Sequence, residues 1–290
     1  MKIEAIVDCN TILGEGPLWD VAEQRLYWID SYGQKIFRAT ATGGEVESWE
    51  VPQKIGSMAL RKDGGAIMSL ADGFYLFDFA TGASTLIGTV ERAGPNIRIN
   101  DGKVDKRGRY VSGSMDITEA SADGKLYSVG TDLSIREIDD GIVVSNGPCW
   151  SPDGSIFYFA DSRSRAIWAY DYDLATGNVA NKRRFALFGE EDGLPDGATV
   201  DAEGYVWSAG VYKSKLHRFA PDGSLDRTID MPIVCVTSVM FGGPDLDTLY
   251  VTSMKTAPVP GVVETGPLAG SLFAITGLGI RGLPETRFAG

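Results

Sequence analysis

Apolar segments and polar turns alternate along the whole chain in a repeating unit. Each unit has a short apolar segment, then a turn rich in Asp, Gly and Pro, then a strand that mixes β-branched with aromatic residues. Strands of this composition, bounded by turn residues, are typical of β-hairpins. The strands that follow the turns read RLYWID, AIMSL, RYVSGSM, SIFYFAD, YVWSAG and TLYVTSM.

The spacing of these turns indicates the architecture. They recur at a period of roughly 45 residues, which is the blade period of a β-propeller. No long stretch has the 3.6-residue periodicity of an amphipathic helix. A β-sandwich is the alternative, but six units of one length fit it poorly, whereas four-stranded blades around a channel use all the strands. We therefore predict an all-β, six-bladed β-propeller.

The chain shows no sign of division into separate domains. No linker, low-complexity tract or shift in composition interrupts it. We expect a single propeller domain over residues 1–290. The first strand, residues 2–8, is predicted to complete the last blade and so close the ring.

Polar residues occupy one register of the repeat. Just before four of the six turns stands an acidic residue or Asn, usually followed by Gly and, three residues further on, by Trp or Val. These segments are predicted to be the innermost strands, whose equivalent positions face the central axis at one height. The four polar residues that share this register are Glu15, Asn100, Asn146 and Asp196.

These four residues would form a ring of oxygen ligands that binds a cation. Two carboxylates and two amide oxygens that converge repel one another unless a cation or protons neutralise them. Oxygen ligands suit Ca²⁺, Mg²⁺ or Mn²⁺, with Fe²⁺ and Zn²⁺ as further candidates. Any one of these residues is more often a turn residue or strand cap, so the shared register carries the prediction of one divalent metal ion.

The loops after the second strands are predicted to surround the same end of the channel. Arg98 lies two residues before Asn100 and so faces the same way by strand alternation. Asp116, Glu119 and Tyr212 lie in or next to these loops and are candidate substrate contacts. For a single rim residue, exposure to solvent is the simpler interpretation.

Composition restricts the partners. The net charge of −12 disfavours nucleic acid and anionic membranes, and no apolar run is long enough to span a bilayer. The start of the chain does not read as a signal peptide. The three cysteines are far apart and odd in number, which fits a reducing cytoplasm rather than a disulfide framework. We expect a cytoplasmic protein that acts on a small molecule.

The chain lacks the residues that several kinds of catalysis require. The single histidine, His217, is expected to be a packed or surface residue, and no G-x-S-x-G elbow, dinucleotide fingerprint or P-loop is present. Cys149 has the neighbours of a packed thiol. Metal-assisted chemistry with carboxylates remains, since a divalent ion polarises a carbonyl and a carboxylate can take a proton from water. This fits hydrolysis of an ester, a lactone or a phosphoester.

At these residues the chain resembles the SMP-30/gluconolactonase/LRE-like family, also called the regucalcin family. The matching segments are LGEGPLW, RINDGKVDKRGRY, SNGPCWSPDG, LPDG, FGGPDLDTLYVTS and the closing AGSLFAITGLGIRGLPETRFAG. The resemblance spans essentially the whole chain. It implies a six-bladed propeller with a divalent metal that hydrolyses sugar lactones.

The resemblance also implies roles for individual residues. Family metal ligands match Glu15, Asn146 and Asp196, and the last is also proposed as the general base. Substrate contacts match Arg98 and Asn100. One position departs from the pattern, because Thr118 stands where regucalcin-related members carry a substrate-contacting Glu. Asp116 or Glu119 could take its place, so sugar specificity does not carry over.

The leading hypothesis from the sequence is a metal-dependent aldonolactonase that acts as a monomer. One rival is a metal-dependent esterase or phosphotriesterase, and another is a non-catalytic calcium-binding propeller. Three rim cations add a further hypothesis: Arg163, Lys213 and Lys255 could favour a lactone with an acidic substituent. Their side chains could equally lie in solvent.

Overall fold

Six four-stranded antiparallel sheets make up the fold of the computed structural model, which describes residues 1–90, 94, 96–257 and 266–290. We number the sheets as blades 1 to 6 from the one that contains the first inner strand. No α-helix occurs in the described part of the chain, and two 3-10 turns span Ser162–Ser164 and Glu190–Asp192. The predicted all-β, six-bladed propeller is confirmed.

In blades 1 to 3 the strands follow chain order from the inner to the outer edge. Blade 1 contains β2 (Gly14–Asp20), β3 (Arg25–Asp30), β4 (Lys35–Ala39) and β5 (Glu47–Glu50). Blade 2 contains β6 (Ile55–Leu60), β7 (Ala66–Leu70), β8 (Gly73–Phe77) and β9 (Ser84–Thr89). Blade 3 contains β10 (Ile97–Val104), β11 (Tyr110–Asp116), β12 (Gly124–Val129) and β13 (Ile135–Ile142).

Blades 4 and 5 repeat this order, and blade 6 closes the ring. Blade 4 contains β14 (Ser145–Trp150), β15 (Ile156–Asp161), β16 (Ala166–Asp173) and β17 (Asn178–Leu187). Blade 5 contains β18 (Leu194–Val200), β19 (Val206–Val211), β20 (Lys215–Phe219) and β21 (Leu225–Asp230). Blade 6 contains β22 (Val236–Gly242), β23 (Thr248–Ser253), β24 (Leu272–Thr276) and β1 (Lys2–Val7).

The circle of six blades closes as the sequence predicts. Strand β1 pairs antiparallel with β24, so that the first strand of the chain is the outer strand of blade 6. This pairing brings the first and the last strand of the chain into one sheet.

The turns between first and second strands explain the D-x-x-G signal of the sequence. In blade 5, Asp201 Oδ1 accepts hydrogen bonds from the backbone N–H groups of Glu203 and Tyr205, at 2.9 and 3.0 Å. Gly204 has φ +86°, a conformation that L side chains rarely adopt. Asp105 and Gly108 build the same turn in blade 3. The Asp caps the backbone while the Gly allows the reversal.

A second closure lies at the end of the channel where these turns cluster. Residues 281–290, which we call the C-terminal strap, cross that end and contact blades 5, 6, 1, 2 and 3 in turn. Gly282 N–H donates to Leu246 O at 2.8 Å, and Phe288 N–H donates to Leu60 O at 2.8 Å. Arg287 forms an ion pair with Asp20 at 2.6 Å. The strap therefore covers the end of the channel opposite to the candidate site.

Candidate functional site

A pocket that is partly open to solvent lies at the other end of the channel. The residues that line it come from the starts of inner strands, the ends of second strands and the loops that follow the second strands. They are Leu13, Glu15, Tyr32, Arg98, Asn100, Met115, Ile117, Glu119, Val144, Asn146, Ser162, Leu194, Asp196, Val211, Tyr212 and Met254.

The four residues of the shared register all line this pocket. Glu15, Asn100, Asn146 and Asp196 lie on β2, β10, β14 and β18, the inner strands of four blades. Glu15 is partly exposed to the pocket, while the other three are buried. The structure thus brings together the residues for which the sequence predicts a common site.

A β-bulge in each inner strand turns these side chains toward the axis. The pairing register shifts between Glu15 and Leu18 in blade 1 and between Asn146 and Cys149 in blade 4. Equivalent shifts occur in the other four inner strands. Bulges re-aim side chains and are frequent beside functional sites.

Two amides are locked together at the base of the pocket. Asn100 Nδ2 donates to Asn146 Oδ1 at 2.9 Å and to Ser145 O at 2.8 Å. Asn146 Nδ2 in turn donates to Ser162 Oγ at 2.9 Å, and this hydroxyl donates to Pro195 O at 2.7 Å. The network fixes the Asn146 amide with its oxygen toward Asn100, so Asn100 is placed to orient Asn146.

The two carboxylates of the ring lack a strong cationic partner. Burial raises the pKa of both Glu15 and Asp196 well above the usual range, and the negative charge of Asp101 raises both further. Arg98 lowers the pKa of both carboxylates, but its effect is weaker than those of burial and of Asp101. Each carboxylate accepts a hydrogen bond from the backbone N–H of the residue that follows it, which is Gly16 for Glu15 and Gly197 for Asp196.

This donor set fits a hard divalent cation. Two carboxylates and one amide oxygen converge in a buried site where their negative charge is not otherwise offset, which is the chemistry that Ca²⁺ and similar ions take up. In the described residues, no group of three or more His, Cys, Asp or Glu side chains could hold a metal. The candidate site therefore depends on the amide oxygen of Asn146 as its third donor.

Arg98 lies beside the ring. Its Nη1 donates to Asn100 Oδ1 at 2.5 Å and to Ile99 O at 3.1 Å, and its guanidinium carbon lies 5.8 Å from the centre of the Tyr32 ring. Burial lowers the pKa of Arg98, while the phenol of Tyr32 and the carboxylate of Glu15 act in the opposite direction. A guanidinium is a strong base and remains charged, so it brings a positive charge to the pocket.

The rim residues divide into those that reach the pocket and those that do not. Glu119 and Tyr212 line it, and both have positive φ, +55° and +72°. The Glu119 carboxylate forms an ion pair with Arg163 of blade 4. Burial raises the pKa of Tyr212.

Asp116 does not line the pocket. Its carboxylate accepts hydrogen bonds from its own loop, including Thr118 Oγ1 at 2.7 Å and Ser121 N at 2.9 Å. These bonds lower the pKa of Asp116. Three polar side chains lie near the position where the family has a Glu. Glu119 faces the pocket, whereas Asp116 and Thr118 form hydrogen bonds within the loop.

The other two rim cations have partners as well. Lys213 forms an ion pair with Glu191 at 3.1 Å, and Lys255 Nζ donates to Asn10 Oδ1 at 2.9 Å. Neither lysine lines the pocket.

Sequence reasoning missed two participants. Asp101 occupies the glycine position of its repeat. Its carboxylate accepts hydrogen bonds from the N–H groups of Gly102 and Gly147, and its negative charge raises the pKa of both ring carboxylates. Tyr32, in the loop after β3, lines the pocket. A signal for Asp101 was available, because it is the one acidic residue in that position of the repeat.

Two residues set aside on sequence grounds are buried away from the pocket lining. His217 Nε2 lies 2.9 Å from Asp192 O and Nδ1 lies 3.1 Å from Thr228 Oγ1. Burial raises the pKa of the Cys149 thiol to about 12, which makes it a poor nucleophile.

Across the described residues, no helix is long and apolar enough to cross a bilayer.

The fold and the pocket define a six-bladed propeller with an oxygen-rich site at one end of its channel. Residues 13–255 match the model of the SMP-30/Gluconolactonase/LRE-like region. The chain belongs to this family.

Relatives are similar over their full length. Regucalcin of Xenopus laevis is 36% identical over 296 residues, which covers all of this chain and 99% of that protein. Among solved structures, a luciferin-regenerating enzyme has a TM-score of 0.91 at 29% identity over 99% of this chain and 98% of its own. A calcium-binding regucalcin from Agrobacterium tumefaciens also has a TM-score of 0.91, at 26% identity over 98% and 96%.

Proposed function

We propose that this protein is a metal-dependent lactonase that hydrolyses a sugar lactone to the aldonic acid. Candidate substrates are glucono-, galactono-, xylono- and arabinonolactones. The observation that carries the proposal is the convergence of Glu15, Asn146 and Asp196 from three blades on one pocket, with Arg98 beside them. Family membership and the names of the relatives support it.

The metal would be held by Glu15, Asn146 and Asp196, and its identity stays open among Ca²⁺, Mn²⁺, Fe²⁺, Mg²⁺ and Zn²⁺. When bound, a divalent cation polarises a carbonyl oxygen and offsets the charge that develops on it. Asn100 orients the Asn146 oxygen through its 2.9 Å hydrogen bond.

The proton steps fall to Asp196. Its carboxylate takes a proton from the attacking water while the water oxygen bonds to the lactone carbonyl carbon. The bond from that carbon to the ring oxygen then breaks, and the proton returns to the ring oxygen, which becomes a hydroxyl. Arg98, Glu119 and Tyr212, which line the pocket, would bind substrate hydroxyls.

The single-domain and assembly expectations are also proposals. We propose that residues 1–290 act as one propeller domain, as a monomer, in the cytoplasm. The shared sheet of the first and last strands supports one domain. Cys9 and Cys149 are present as thiols rather than in disulfides, which is compatible with a reducing compartment.

The deciding experiment measures acid release from several aldonolactones after chelation and after single metals are added back. We expect turnover to disappear with chelator and to return with a divalent ion. Asp196→Asn should lower kcat by about 10²- to 10⁴-fold, the usual range for loss of a general base. Glu191→Gln, which changes an exposed rim carboxylate, is the matched control and should behave as the parent.

The outcomes separate the rival functions. Full activity in Asp196→Asn would remove its role as general base. Turnover of an aryl ester or phosphotriester but of no lactone would favour the esterase alternative. Metal binding without turnover of any of these substrates would favour a calcium-binding propeller.

A further inference from the structure

A layer of apolar side chains lies on the mouth side of the metal ring. In three blades, the residue two positions before the ring residue is aliphatic: Leu13, Val144 and Leu194 precede Glu15, Asn146 and Asp196. Alternate residues of a strand point to the same face, and all three aliphatic residues line the pocket. They therefore lie one layer above the ligand oxygens.

The ends of second strands complete this layer. Met115, Val211 and Met254 also line the pocket. Backbone bridges join Leu13 to Met254 and Met115 to Val144, so the layer is tied across neighbouring blades. We call these six residues, Leu13, Met115, Val144, Leu194, Val211 and Met254, the apolar collar.

Blade 3 interrupts the collar with polar groups. The residue two positions before Asn100 is Arg98, whose guanidinium is held by Asn100 Oδ1. Glu119, on the loop that follows β11, acts electrostatically on Arg98. Across the pocket, Leu13, Val211 and Met254 belong to a single hydrophobic cluster. The pocket above the ring thus has charged groups at blade 3. Across from them lies an edge of aliphatic side chains against which the rings of Tyr32 and Tyr212 pack, and we call this the apolar edge.

The three rim cations considered from the sequence, Arg163, Lys213 and Lys255, all have partners. The carboxylate of Glu119 pairs with Arg163, Glu191 pairs with Lys213, and Asn10 binds the Lys255 ammonium. An acidic substituent that reached the rim would therefore be repelled by the Glu119 carboxylate, and it would have to displace a partner in order to pair with any of these three cations. This arrangement argues against the acidic lactone considered from the sequence.

A hydroxyl that enters the apolar edge loses hydrogen bonds to water and gains none from the collar, which is unfavourable. A methyl group in the same place gains apolar contact. Building on the lactonase function proposed above, we infer that the preferred substrates are uncharged lactones with hydroxyls along one edge and hydrocarbon at the other, as in deoxy-sugar lactones.

The test compares three lactones that differ at one carbon. D-Fucono-1,4-lactone, D-galactono-1,4-lactone and D-galactaro-1,4-lactone carry a methyl, a hydroxymethyl and a carboxylate at that carbon. With the metal-loaded protein, we expect kcat/KM for the methyl compound to exceed that for the hydroxymethyl compound by about tenfold or more. The carboxylate compound should be the poorest of the three.

Collar variants show whether the apolar edge causes the preference. Val211→Thr keeps the side-chain shape and Met254→Gln keeps its length, and each adds a hydrogen-bonding group to the apolar edge. Either should bring the two kcat/KM values closer by severalfold, whereas Leu187→Gln, at an exposed position outside the pocket, should leave the ratio unchanged. Thermal unfolding of each variant checks that it is folded.

Two failures can be told apart. If all three lactones are hydrolysed and the hydroxymethyl or carboxylate compound is preferred or equal, this inference is wrong and the lactonase function stands. If none of the three, nor any lactone of the wider panel, is hydrolysed with any metal, the proposed function is wrong and the inference falls with it.

Discussion

At the residue scale, the contact between Glu119 and Arg163 shows how a departure from the family pattern can be accommodated. Thr118 occupies the family's Glu position, yet its hydroxyl is used to bind Asp116. The positive φ of Glu119 places the next side chain at the pocket instead, and Arg163 of the neighbouring blade holds it there. We regard Glu119 as a substrate contact and Arg163 as a positioning residue.

Replacement of the positioning residue should affect substrate binding more than chemistry. We expect Arg163→Met to raise KM by about tenfold with a smaller change in kcat, since a charge-assisted hydrogen bond contributes roughly 1.5 kcal/mol. Combined with Glu119→Gln, its effect should be less than additive because the two act as one unit. Steady-state kinetics on a hydrolysed lactone measures both quantities.

The control for this prediction is Lys213→Met. Lys213 is another paired rim cation, but neither it nor Glu191 lines the pocket. Its KM should equal that of the parent. A KM for Arg163→Met within error of the parent would show that Arg163 does not position Glu119.

At the scale of the element, the bulged inner strands decide where the ring side chains point. The sequence predicted the inner strands, their common register and the closing pairing of β1 with β24, because hydrophobic patterning and turn residues are local signals. It did not predict the bulges, since a bulge depends on how two strands pair. The sequence shows an acidic residue at position 101, but only the structure places its carboxylate against the N–H groups of Gly102 and Gly147.

Two glycines at the bulges allow this geometry to be tested as a matched pair. Gly16 and Gly147 follow ring residues and have φ +52° and +56°. A Cβ at Gly16 would meet nothing within 4 Å, whereas one at Gly147 would lie 2.8 Å from Asp196 O and 2.8 Å from Ala198 Cβ. Only the second position therefore combines backbone strain with a clash against the neighbouring inner strand.

We expect Gly16→Ala to lower the free energy of unfolding by about 1 kcal/mol, from the left-handed backbone alone. Gly147→Ala should cost roughly 1–3 kcal/mol more, because β18 must move away. Denaturant unfolding of the two variants gives the difference. Equal losses of free energy of unfolding in the two variants would show that β18 can move away from β14 without an energetic penalty. In that case these bulges do not hold Asp196 rigidly in place.

At the scale of the whole molecule, two closures hold the propeller together. The pairing of β1 with β24 joins the ends within one blade, and the C-terminal strap joins five blades across the far end of the channel. Phe288 of the strap is fully buried in the hydrophobic core between blades 2 and 3. Elsewhere in the strap, Glu285 Oε1 lies 3.5 Å from Nζ of Lys103, a residue of the inner strand β10.

Phe288→Ala should separate stability from function because the strap and the candidate site lie at opposite ends of the channel. We expect the free energy of unfolding to fall by roughly 3–5 kcal/mol, the usual cost of truncating a buried Phe. At temperatures where the variant stays folded, kcat/KM should equal that of the parent. Leu187→Ala, a truncation at an exposed position, should change neither quantity. A loss of kcat/KM in folded Phe288→Ala would instead mean that the strap fixes the height of the inner strands, and with it the spacing of Glu15, Asn146 and Asp196.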